Sequence, residues 1–335
     1  MDSQSPTHSG LARLGVLSQE QIDRIRNGLL GWFGANARDL PWRRTRDPYA
    51  ILVSEVMLQQ TQVDRVLPYY RRFLERFPTV HELADAPTAE VIRIWSGLGY
   101  NRRAVNLQRA AKVVVSDFDG VFPTDVDGLR RLPGVGAYTA GAVTSFAYEQ
   151  DVAFLDTNMR RVVSRVFFGV EAPVEKDLLG AARALVPPGQ SWSWNQALIE
   201  FGALQCTARS PACIVCPLRQ ECRAFPFMQL VLGVERAQRR NGKARPAQPF
   251  ETTNRYYRGR IVEQLRAVPE DDGKGIDLFQ LGPRVRDGFS AADVPWLRNL
   301  VEGLERDGLA VISEASPGYD AGAGSGDTGI RVRLP

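Results

Sequence analysis

A glycine turn between two helical segments is the feature that most constrains how this 335-residue chain can fold. Residues 132–136 read Leu-Pro-Gly-Val-Gly, and a short helix is predicted from Ala137 to about Ala147. The chain must turn sharply at the two glycines and then start a helix whose first backbone N–H groups have no intrahelical partner. Because such a helix start binds anions, the turn predicts a contact with a negatively charged group.

Helical periodicity dominates the sequence around this turn, and strand signals are nearly absent before it, which favours a mainly α fold. Helices are predicted at about 19–34, 51–61, 62–77, 80–86, 88–95, 101–117, 125–131 and 137–147, with a further helical segment at 176–203. The helix of 125–131, the turn and the helix from Ala137 together form a helix-hairpin-helix. Its glycines can approach a phosphate group where any Cβ atom would clash.

Composition adds a weak bias toward an anionic partner. The formal charge is +4, the isoelectric point is about 9.0, and only four of the 42 basic residues are lysines. Arginine reads phosphates and bases in a bidentate way, although genomic base composition explains an arginine excess equally well. The first residues lack the pattern of a signal peptide, and no apolar segment reaches roughly 20 residues. We therefore expect a cytoplasmic protein without a membrane partner.

Two carboxylates stand in contexts that suggest chemistry. Glu55 is the single charge within the apolar helix of 51–61, so burial would raise its pKa and let it act as a general acid. The alternative is a glutamate at the helix edge, paired with an arginine. Asp156 follows an apolar run and precedes a new helix with three arginines behind it. It is either a simple N-cap or a second functional carboxylate.

The turn at 97–100 reads Gly-Leu-Gly-Tyr and precedes two arginines. Its glycines permit a tight bend that would push Leu98 and Tyr100 outward. An apolar tip and an aromatic tip beside arginines are typical of a wedge that enters a base stack. A plain interhelical turn with Tyr100 packed on the core is the alternative.

All four cysteines lie close together, with the spacing Cys206-x6-Cys213-x2-Cys216-x5-Cys222. Structural zinc sites usually show two close cysteine pairs, and here only one pair is close. Four thiolates at uneven spacing favour a [4Fe–4S] cluster over zinc.

The C-terminal third has a different composition. Residues 223–255 are interpreted as a linker, and between Arg236 and Arg260 eight basic residues face one acid, Glu251. Beyond it, a helix is predicted at 259–267, another begins at Ser290, and two strands are predicted at 309–312 and 330–334, joined by a Gly/Ala/Ser-rich loop. Helices followed by a two-stranded ribbon predict a winged-helix-like α+β domain, which would bind either duplex DNA or protein.

Residues 20–225 resemble the helix-hairpin-helix DNA glycosylases of the endonuclease III superfamily, and within it the adenine DNA glycosylase (MutY) family. The resemblance is carried by the turn at 132–136 with Tyr138, by Asp156, by the cysteine spacing, and by the motifs at 40–43, 54–63, 97–100 and 195–198. It implies a helical barrel domain at 47–155 and an iron-sulfur cluster domain formed by 18–46 and 156–228. A mobile N-terminus at 1–17, a basic linker at 229–255 and the winged-helix-like domain at 256–335 would complete the chain.

The resemblance also implies an activity: excision of adenine mispaired with 8-oxoguanine or guanine in double-stranded DNA. Glu55 would protonate N7 of the flipped adenine, and Asp156 would stabilise the oxocarbenium-like sugar, with Asn158 and Tyr138 holding both groups in place. The residues implied for the adenine pocket are Trp42, Arg43, Arg38, Gln196 and Ile199. Those implied for DNA contacts are Gln60, Thr61, Leu98, Tyr100, Leu132, Gly134, Val135 and Gly136.

One position separates classes inside this superfamily. Where lyases similar to endonuclease III carry a nucleophilic lysine, this chain has Tyr138, and no lysine lies between Lys112 and Lys176. A Schiff-base lyase needs an amine, so we expect base excision without efficient strand cleavage. We also expect the protein to be a monomer that is associated with the bacterial nucleoid. The rivals are a thymine or uracil mismatch glycosylase and a non-catalytic iron-sulfur DNA-binding protein. The Nudix-like C-terminal domain common in the family has no counterpart here.

Overall fold

The computed structural model describes residues 18–171, 173–228, 249–268, 275–314 and 328–335. The predicted mobile N-terminus, most of the predicted basic linker and most of the Gly/Ala/Ser-rich loop lie outside the described residues. Within them the chain is mainly helical, as predicted. The helices are α1 Gln19–Asn36, α2 Pro48–Leu58, α3 Val63–Arg76, α4 Val80–Asp85, α5 Thr88–Ile94, α6 Arg102–Asp117, α7 Val126–Leu129, α8 Ala137–Tyr148, α9 Thr157–Val163, α10 Glu175–Leu185, α11 Ser191–Leu204, α12 Asn254–Arg266, α13 Leu278–Val285 and α14 Val294–Arg306.

The described residues divide into two compact units. The first comprises those of Met1–Glu55, Pro123–Arg131 and Val135–Ala244, and the second those of Val56–Phe122, Leu132–Gly134 and Arg245–Pro335. The predicted domain boundaries cut the chain at other places, since they keep 47–155 together, and they stay a prediction.

The first unit is built on two largely buried helices, α8 and α11. Residues 139–146 of α8 are all buried, and α11 packs against α1, α8 and α9. The predicted capping box starts α1, where Ser18 Oγ accepts from the Gln21 N–H (3.3 Å) and Gln21 Oε1 accepts from the Ser18 N–H (2.9 Å). The predicted helical segment of 176–203 is two helices, α10 and α11. Residues 187–189 read Pro-Pro-Gly and separate them, because proline cannot continue a helix.

The second unit joins α3–α6 to the C-terminal region. There α12, α13 and α14 are combined with the strands β1 Ile276–Asp277, β2 Val311–Glu314 and β3 Ile330–Arg333. The sheet order is β1-β3-β2 with both pairs antiparallel, and Val332 lies opposite both Ile276 and Ile312. This is the winged-helix-like domain, and no Nudix-like arrangement occurs in its described residues.

Three details of this domain differ from the sequence prediction. The sheet has three strands rather than the predicted two. Strand β1 was not predicted, because it spans only two residues and shows no alternation of apolar and polar residues. Helix α13 was not predicted, since its short sequence contains Gly282 and Pro283. Helix α12 begins at Asn254, capped by Thr253, and not at 259. No helix in the part of the chain that the structure describes is long and apolar enough to cross a membrane.

Candidate active site

Glu55 lies buried near the end of α2, with 6% of its surface exposed. The predicted burial of this helix is confirmed, because every residue from 49 to 57 is buried. The Tyr138 hydroxyl, on the first turn of α8, hydrogen-bonds to the Glu55 carboxylate. Burial raises the pKa of Glu55 to about 7, and the charge of Asp156 adds to the effect, while Tyr138 and Arg43 oppose it. Glu55 therefore keeps its proton close to neutral pH.

Asp156 is at once an N-cap and a neighbour of the buried acid. Its Oδ1 accepts from the Met159 N–H (2.6 Å) at the start of α9, and its Oδ2 accepts from Asn158 Nδ2 (3.2 Å). Burial raises the pKa of Asp156, although the hydrogen bonds from residues 159 and 158 oppose the rise. Both interpretations of this residue, as a cap and as a functional carboxylate, are thus compatible with the structure.

Arg161 connects this pair to the cysteine segment, a role that sequence reasoning did not assign. Its Nη2 donates to Asn158 Oδ1 (2.8 Å) and to the Gly202 carbonyl (2.6 Å), and its Nε donates to the Cys206 carbonyl (2.8 Å). The amide of Asn158 is consequently held between a carboxylate and a guanidinium. The signal in the sequence was an arginine one helical turn after Asn158.

The residues predicted for the base pocket meet around Arg43. Arg43 Nε donates to Gln196 Oε1 (2.8 Å), and its Nη1 donates to the Arg38 carbonyl (2.9 Å). Trp42 is buried in the 3₁₀ turn Pro41–Arg43, and Ile199 is half-buried on α11. The structure therefore brings α11 and the turn around Trp42 together.

Glu200 organises this cluster and was missed as a site residue. Its side chain is completely buried, and it accepts from Arg38 Nε (2.8 Å), Arg38 Nη2 (2.7 Å) and Arg43 Nη2 (3.0 Å). Burial alone would raise its pKa, but the hydrogen bonds from the two arginines outweigh burial and lower the pKa to about 2. Glu200 is thus an ionised carboxylate that fixes the guanidinium of Arg43 beside Gln196.

We expect replacement of Glu200 with glutamine to lower the free energy of unfolding by about 3 kcal/mol at pH 7, because it removes the negative charge that pairs with the guanidinium groups of Arg38 and Arg43. A carboxylate whose pKa falls from 4.5 to about 2 on folding stabilises the protein fully above pH 4.5. The difference between variant and wild type should therefore shrink as the pH falls from 4.5 toward 2. Chemical denaturation across this range measures it.

The matched control is Glu302→Gln, which removes a half-exposed glutamate that is paired with Arg298 (2.9 Å). Such surface pairs contribute under about 1 kcal/mol. Equal effects of the two substitutions would contradict the assigned role of Glu200.

The predicted wedge residues lie on two neighbouring turns of the second unit. Gln60 and Tyr100 both adopt left-handed backbone angles, with φ of 56° and 49°. Non-glycine residues rarely adopt this conformation, and it is concentrated at functional sites. Tyr100 is 40% exposed, but Leu98 is only 3% exposed. The prediction that Leu98 points outward is wrong, because Leu98 packs into the core beneath the turn.

Arg103 ties these two turns together. Its Nη1 donates to the carbonyls of Val56, Met57 and Gln59 at 2.8, 2.9 and 2.6 Å. Its Nη2 donates to Thr61 Oγ1 and to the Gly99 carbonyl, both at 3.2 Å. Burial lowers the pKa of Arg103 to about 10, so the guanidinium remains charged at neutral pH. Both turns are thereby held by one cation.

The hairpin turn has the features expected of an anion contact. Gly134 is exposed with φ of 79°, and a Cβ atom there would lie 2.8 Å from Asn106 Cβ. The N-cap of α8 is Gly136, which has no side chain that could accept a hydrogen bond from the N–H groups of the first turn. Leu132 and Val135 are buried and anchor the turn. A phosphate contact at this turn stays a prediction.

The four cysteines line one cavity. It is formed by Cys206, Cys213, Cys216 and Cys222 together with residues that include Arg165, Phe201, Leu218, Phe225 and Met228. Arg165 Nη1 donates to Cys206 Sγ (3.4 Å), and the backbone N–H groups of Ala224 and Phe225 hydrogen-bond to Cys222. Among the described residues, no three His, Cys, Asp or Glu side chains lie close enough to hold a single metal ion.

This donor set fits a [4Fe–4S] cluster, which needs four thiolates at wider separation than one zinc ion does. Burial raises the pKa of Cys216 to about 12, so the thiolate form requires the positive charge of iron. Hydrogen bonds from backbone N–H groups to the sulfur atoms are a further feature of such sites. When bound, the cluster cross-links residues 206–222 through four thiolates.

Comparison with known proteins identifies the family. Residues 53–188 match the HhH-GPD superfamily of base excision DNA repair proteins, and residues 206–222 match the iron-sulfur binding domain of endonuclease III. Over 314 residues the chain is 41% identical to an adenine DNA glycosylase of Mycolicibacterium smegmatis, which covers 90% of this chain and 97% of that protein. The chain belongs to the adenine DNA glycosylase family. The human adenine DNA glycosylase is 42% identical over 217 residues, but these are 40% of its length.

Solved structures of two related DNA repair enzymes share the fold. A thermostable thymine-DNA glycosylase superposes with a TM-score of 0.59 at 32% identity and covers 62% of this chain and 97% of its own. Endonuclease III, trapped as a covalent intermediate with DNA, superposes with a TM-score of 0.55 at 28% identity over 64% of this chain and 99% of its own. The chain is therefore a DNA glycosylase that binds DNA and carries a [4Fe–4S] cluster. The prediction of this fold and cofactor is confirmed.

Proposed function

We propose that the chain is a monofunctional DNA glycosylase that removes adenine mispaired with 8-oxoguanine or guanine in double-stranded DNA, acting as a monomer on nucleoid DNA. The observation that supports this most strongly is the hydrogen-bonded pair of Glu55 and Tyr138. Glu55 is a carboxyl group with a pKa of about 7, and by the family resemblance Tyr138 stands where lyases carry their lysine. The pair therefore supplies an acid, Glu55, but no amine that could attack the sugar as a nucleophile.

In the proposed reaction, Glu55 donates its proton to N7 of the adenine while the bond between C1′ and N9 breaks. Neutral adenine leaves, and positive charge develops on the sugar. The Asp156 carboxylate stabilises this oxocarbenium-like sugar, as carboxylates do in glycoside hydrolysis. Water adds to C1′, and its proton restores the acid. Tyr138 and Asn158 hold the two carboxylates by the hydrogen bonds described above.

The adenine pocket is proposed to be Trp42, Arg43, Gln196 and Ile199, with Arg38 supporting it. An amide and a guanidinium hydrogen-bonded to each other can together offer both donors and an acceptor to the edge of a flipped base. Glu200 holds Arg43 in the required orientation. The proposed DNA contacts are Gln60, Thr61, Tyr100, Leu132, Gly134, Val135 and Gly136. Leu98 is left out because it is buried, and Tyr100 is the exposed side chain of the turn at 97–100.

A thymine or uracil mismatch glycosylase is the second candidate, favoured by the structural similarity to the thymine-DNA glycosylase. Pyrimidines have no N7, however, so the protonated Glu55 would lack its proposed acceptor. Arg43 and Gln196, held in place by Glu200, can also hydrogen-bond to the edge of adenine.

A panel of duplexes separates these candidates. Enzyme is incubated with duplexes that carry A:8-oxoguanine, A:G, T:G or U:G, and the products are resolved with and without alkali. We expect release of adenine only, with strand breaks only after alkali, because Tyr138 cannot form a Schiff base. Release of thymine or uracil but not adenine would favour the second candidate. Strand cleavage without alkali that persists when Lys112→Ala and Lys176→Ala are combined would contradict the monofunctional mechanism. It would show that the protein cleaves DNA although neither of these lysine amines is present to form the Schiff base.

A further inference from the structure

The winged-helix-like domain shares its hydrophobic core with the helices that flank the wedge turn, residues 97–100. Ala89 and Ile92 of α5 and Val105 of α6 belong to the same buried cluster as the C-terminal apolar residues. Those residues include Ile261, Leu265, Leu297, Val301, Leu304 and Val332. A shared core of this kind fixes the domain to α5 and α6, in contrast to the wetter interface of a mobile module.

Polar contacts reinforce this attachment. Arg266, at the end of α12, donates from Nε and Nη2 to the Ile92 carbonyl at 3.1 and 3.0 Å. The Ala89 N–H donates to the Pro335 carbonyl (2.9 Å), and Asp307 forms ion pairs with Arg102 (3.3 Å) and Arg258. The attachment therefore involves the first helix of the domain, the residue after α14 and the last residue of the chain.

Helix α12 contacts the last residue of the wedge turn, Tyr100, and the residue that follows it, Asn101. The guanidinium of Arg255 lies 4.2 Å from the centroid of the Tyr100 ring, and Arg266 Nη2 donates to Asn101 Oδ1 (3.0 Å). Arg103 brings a second guanidinium to 5.4 Å from the same ring. Tyr100 remains 40% exposed between these cations and holds an unfavourable left-handed backbone angle. The surroundings of Tyr100 therefore restrict both its backbone and its ring.

We propose that Arg255 is a positioning residue for Tyr100, and that the winged-helix-like domain serves as a fixed support that holds this tyrosine ready to enter the base stack. The inference rests on the proposed role of Tyr100 as the wedge. A ring that is already ordered loses less conformational entropy when it inserts into DNA. The planar guanidinium of Arg255 supplies this order by stacking on the Tyr100 ring. The exposed part of that ring leaves room for a DNA strand beside it.

The alternative use of such a domain is to read duplex DNA with its own helix, as helix-turn-helix proteins do. Helix α14 is unsuited to that use. It contains two arginines and two glutamates, and Arg298 is engaged by Glu302 (2.9 Å). Leu297, Val301 and Leu304 face the core. A DNA-reading helix needs an excess of positive charge on its free face.

A double-mutant cycle tests the proposal on the full-length holoprotein. Arg255→Ala, Tyr100→Ala and the double variant are compared for single-turnover base release and for duplex affinity by fluorescence anisotropy. A 2-aminopurine placed beside the mispair reports unstacking. We expect Arg255→Ala to weaken release, affinity and unstacking by about two- to five-fold, the range of an exposed cation–π contact. In the Tyr100→Ala background the same substitution should have no effect.

The matched control is Arg298→Ala, which removes an equal charge from the same domain and should leave all three readouts unchanged. Thermal unfolding of each variant shows whether the fold is intact. Additive effects of Arg255→Ala and Tyr100→Ala, with a shallower salt dependence, would instead make Arg255 a phosphate contact and overturn the proposal. No effect of Arg255→Ala on any readout would overturn it as well.

The design separates this inference from the proposed substrate. The cycle is run on whichever duplex of the panel the wild type processes, so release of another base would refute adenine specificity without affecting the cycle. If no base is released from any duplex, affinity and 2-aminopurine fluorescence still report the coupling between Arg255 and Tyr100.

Discussion

Replacing Glu55 with glutamine is expected to reduce adenine release by about 100- to 10,000-fold, the usual contribution of a general acid. Glutamine has the same shape and can hydrogen-bond to Tyr138, but it has no acidic proton for N7. Duplex affinity should stay nearly unchanged, because the substitution lies in a buried site and alters no phosphate contact. Single-turnover release from an A:8-oxoguanine duplex, measured together with affinity, separates the two effects.

The pH dependence of the wild type provides a second measurement of the same prediction. A general acid works in its protonated form, and the pKa of Glu55 is about 7. Loss of the Glu55 proton should therefore lower adenine release by about tenfold for each pH unit above 7, while protonation of the Asp156 carboxylate should lower it at the acid end of the profile. The residual release by Glu55→Gln should lack this decline. A wild-type profile that stays flat between pH 7 and pH 9 would refute Glu55 as the acid.

Stability should change in the opposite direction to activity. The pKa of Glu55 rises from 4.5 to about 7 on folding, so the folded protein binds this proton more tightly than the unfolded chain does. The cost of an ionised Glu55 develops as the pH rises from 4.5 to 7 and is constant above that. Glu55→Gln should consequently increase the free energy of unfolding by up to about 3 kcal/mol above pH 7. Glu200→Gln, the same change at another buried glutamate, should decrease it.

The contrast between these two glutamates shows how far sequence reasoning reaches. Each is a single carboxylate within an apolar helical stretch, and both are buried, although burial was predicted only for Glu55. The sign of the pKa shift is set by partners far along the chain. Glu200 meets Arg38 and Arg43, 162 and 157 residues away, whereas Glu55 meets a tyrosine hydroxyl and another carboxylate. Local sequence carries no information about such partners.

The same limit explains the other differences. The cluster ligands and the hairpin glycines could be predicted because spacing along the chain determines their chemistry. Leu98 was predicted to point outward because alternation in a four-residue turn does not reveal which side faces the core. The attachment of the C-terminal domain to α5 and α6 depends on the match between two apolar faces. That match appears only when residues 92 and 266 come together in the fold.

Asp156→Asn is the second substitution with a large expected effect. Asparagine is as good an N-cap as aspartate, so its oxygen can still accept from the Met159 N–H at the start of α9. The substitution therefore leaves the fold intact and removes only the negative charge near the sugar. We expect adenine release to fall by about 100- to 1000-fold, the usual effect of deleting one electrostatic contact to a transition state.

Asp125→Asn is the matched control, because Asp125 caps α7 through the Gly128 N–H (2.9 Å) and is exposed. Both variants should unfold within about 0.5 kcal/mol of the wild type, since both keep a cap. Only Asp156→Asn should lose activity, with duplex affinity retained, because the lost charge acts on the sugar only as the glycosidic bond breaks. Equal activity of the two variants would show that Asp156 is only a helix cap, and Glu55 would then be the sole catalytic carboxylate of the pair.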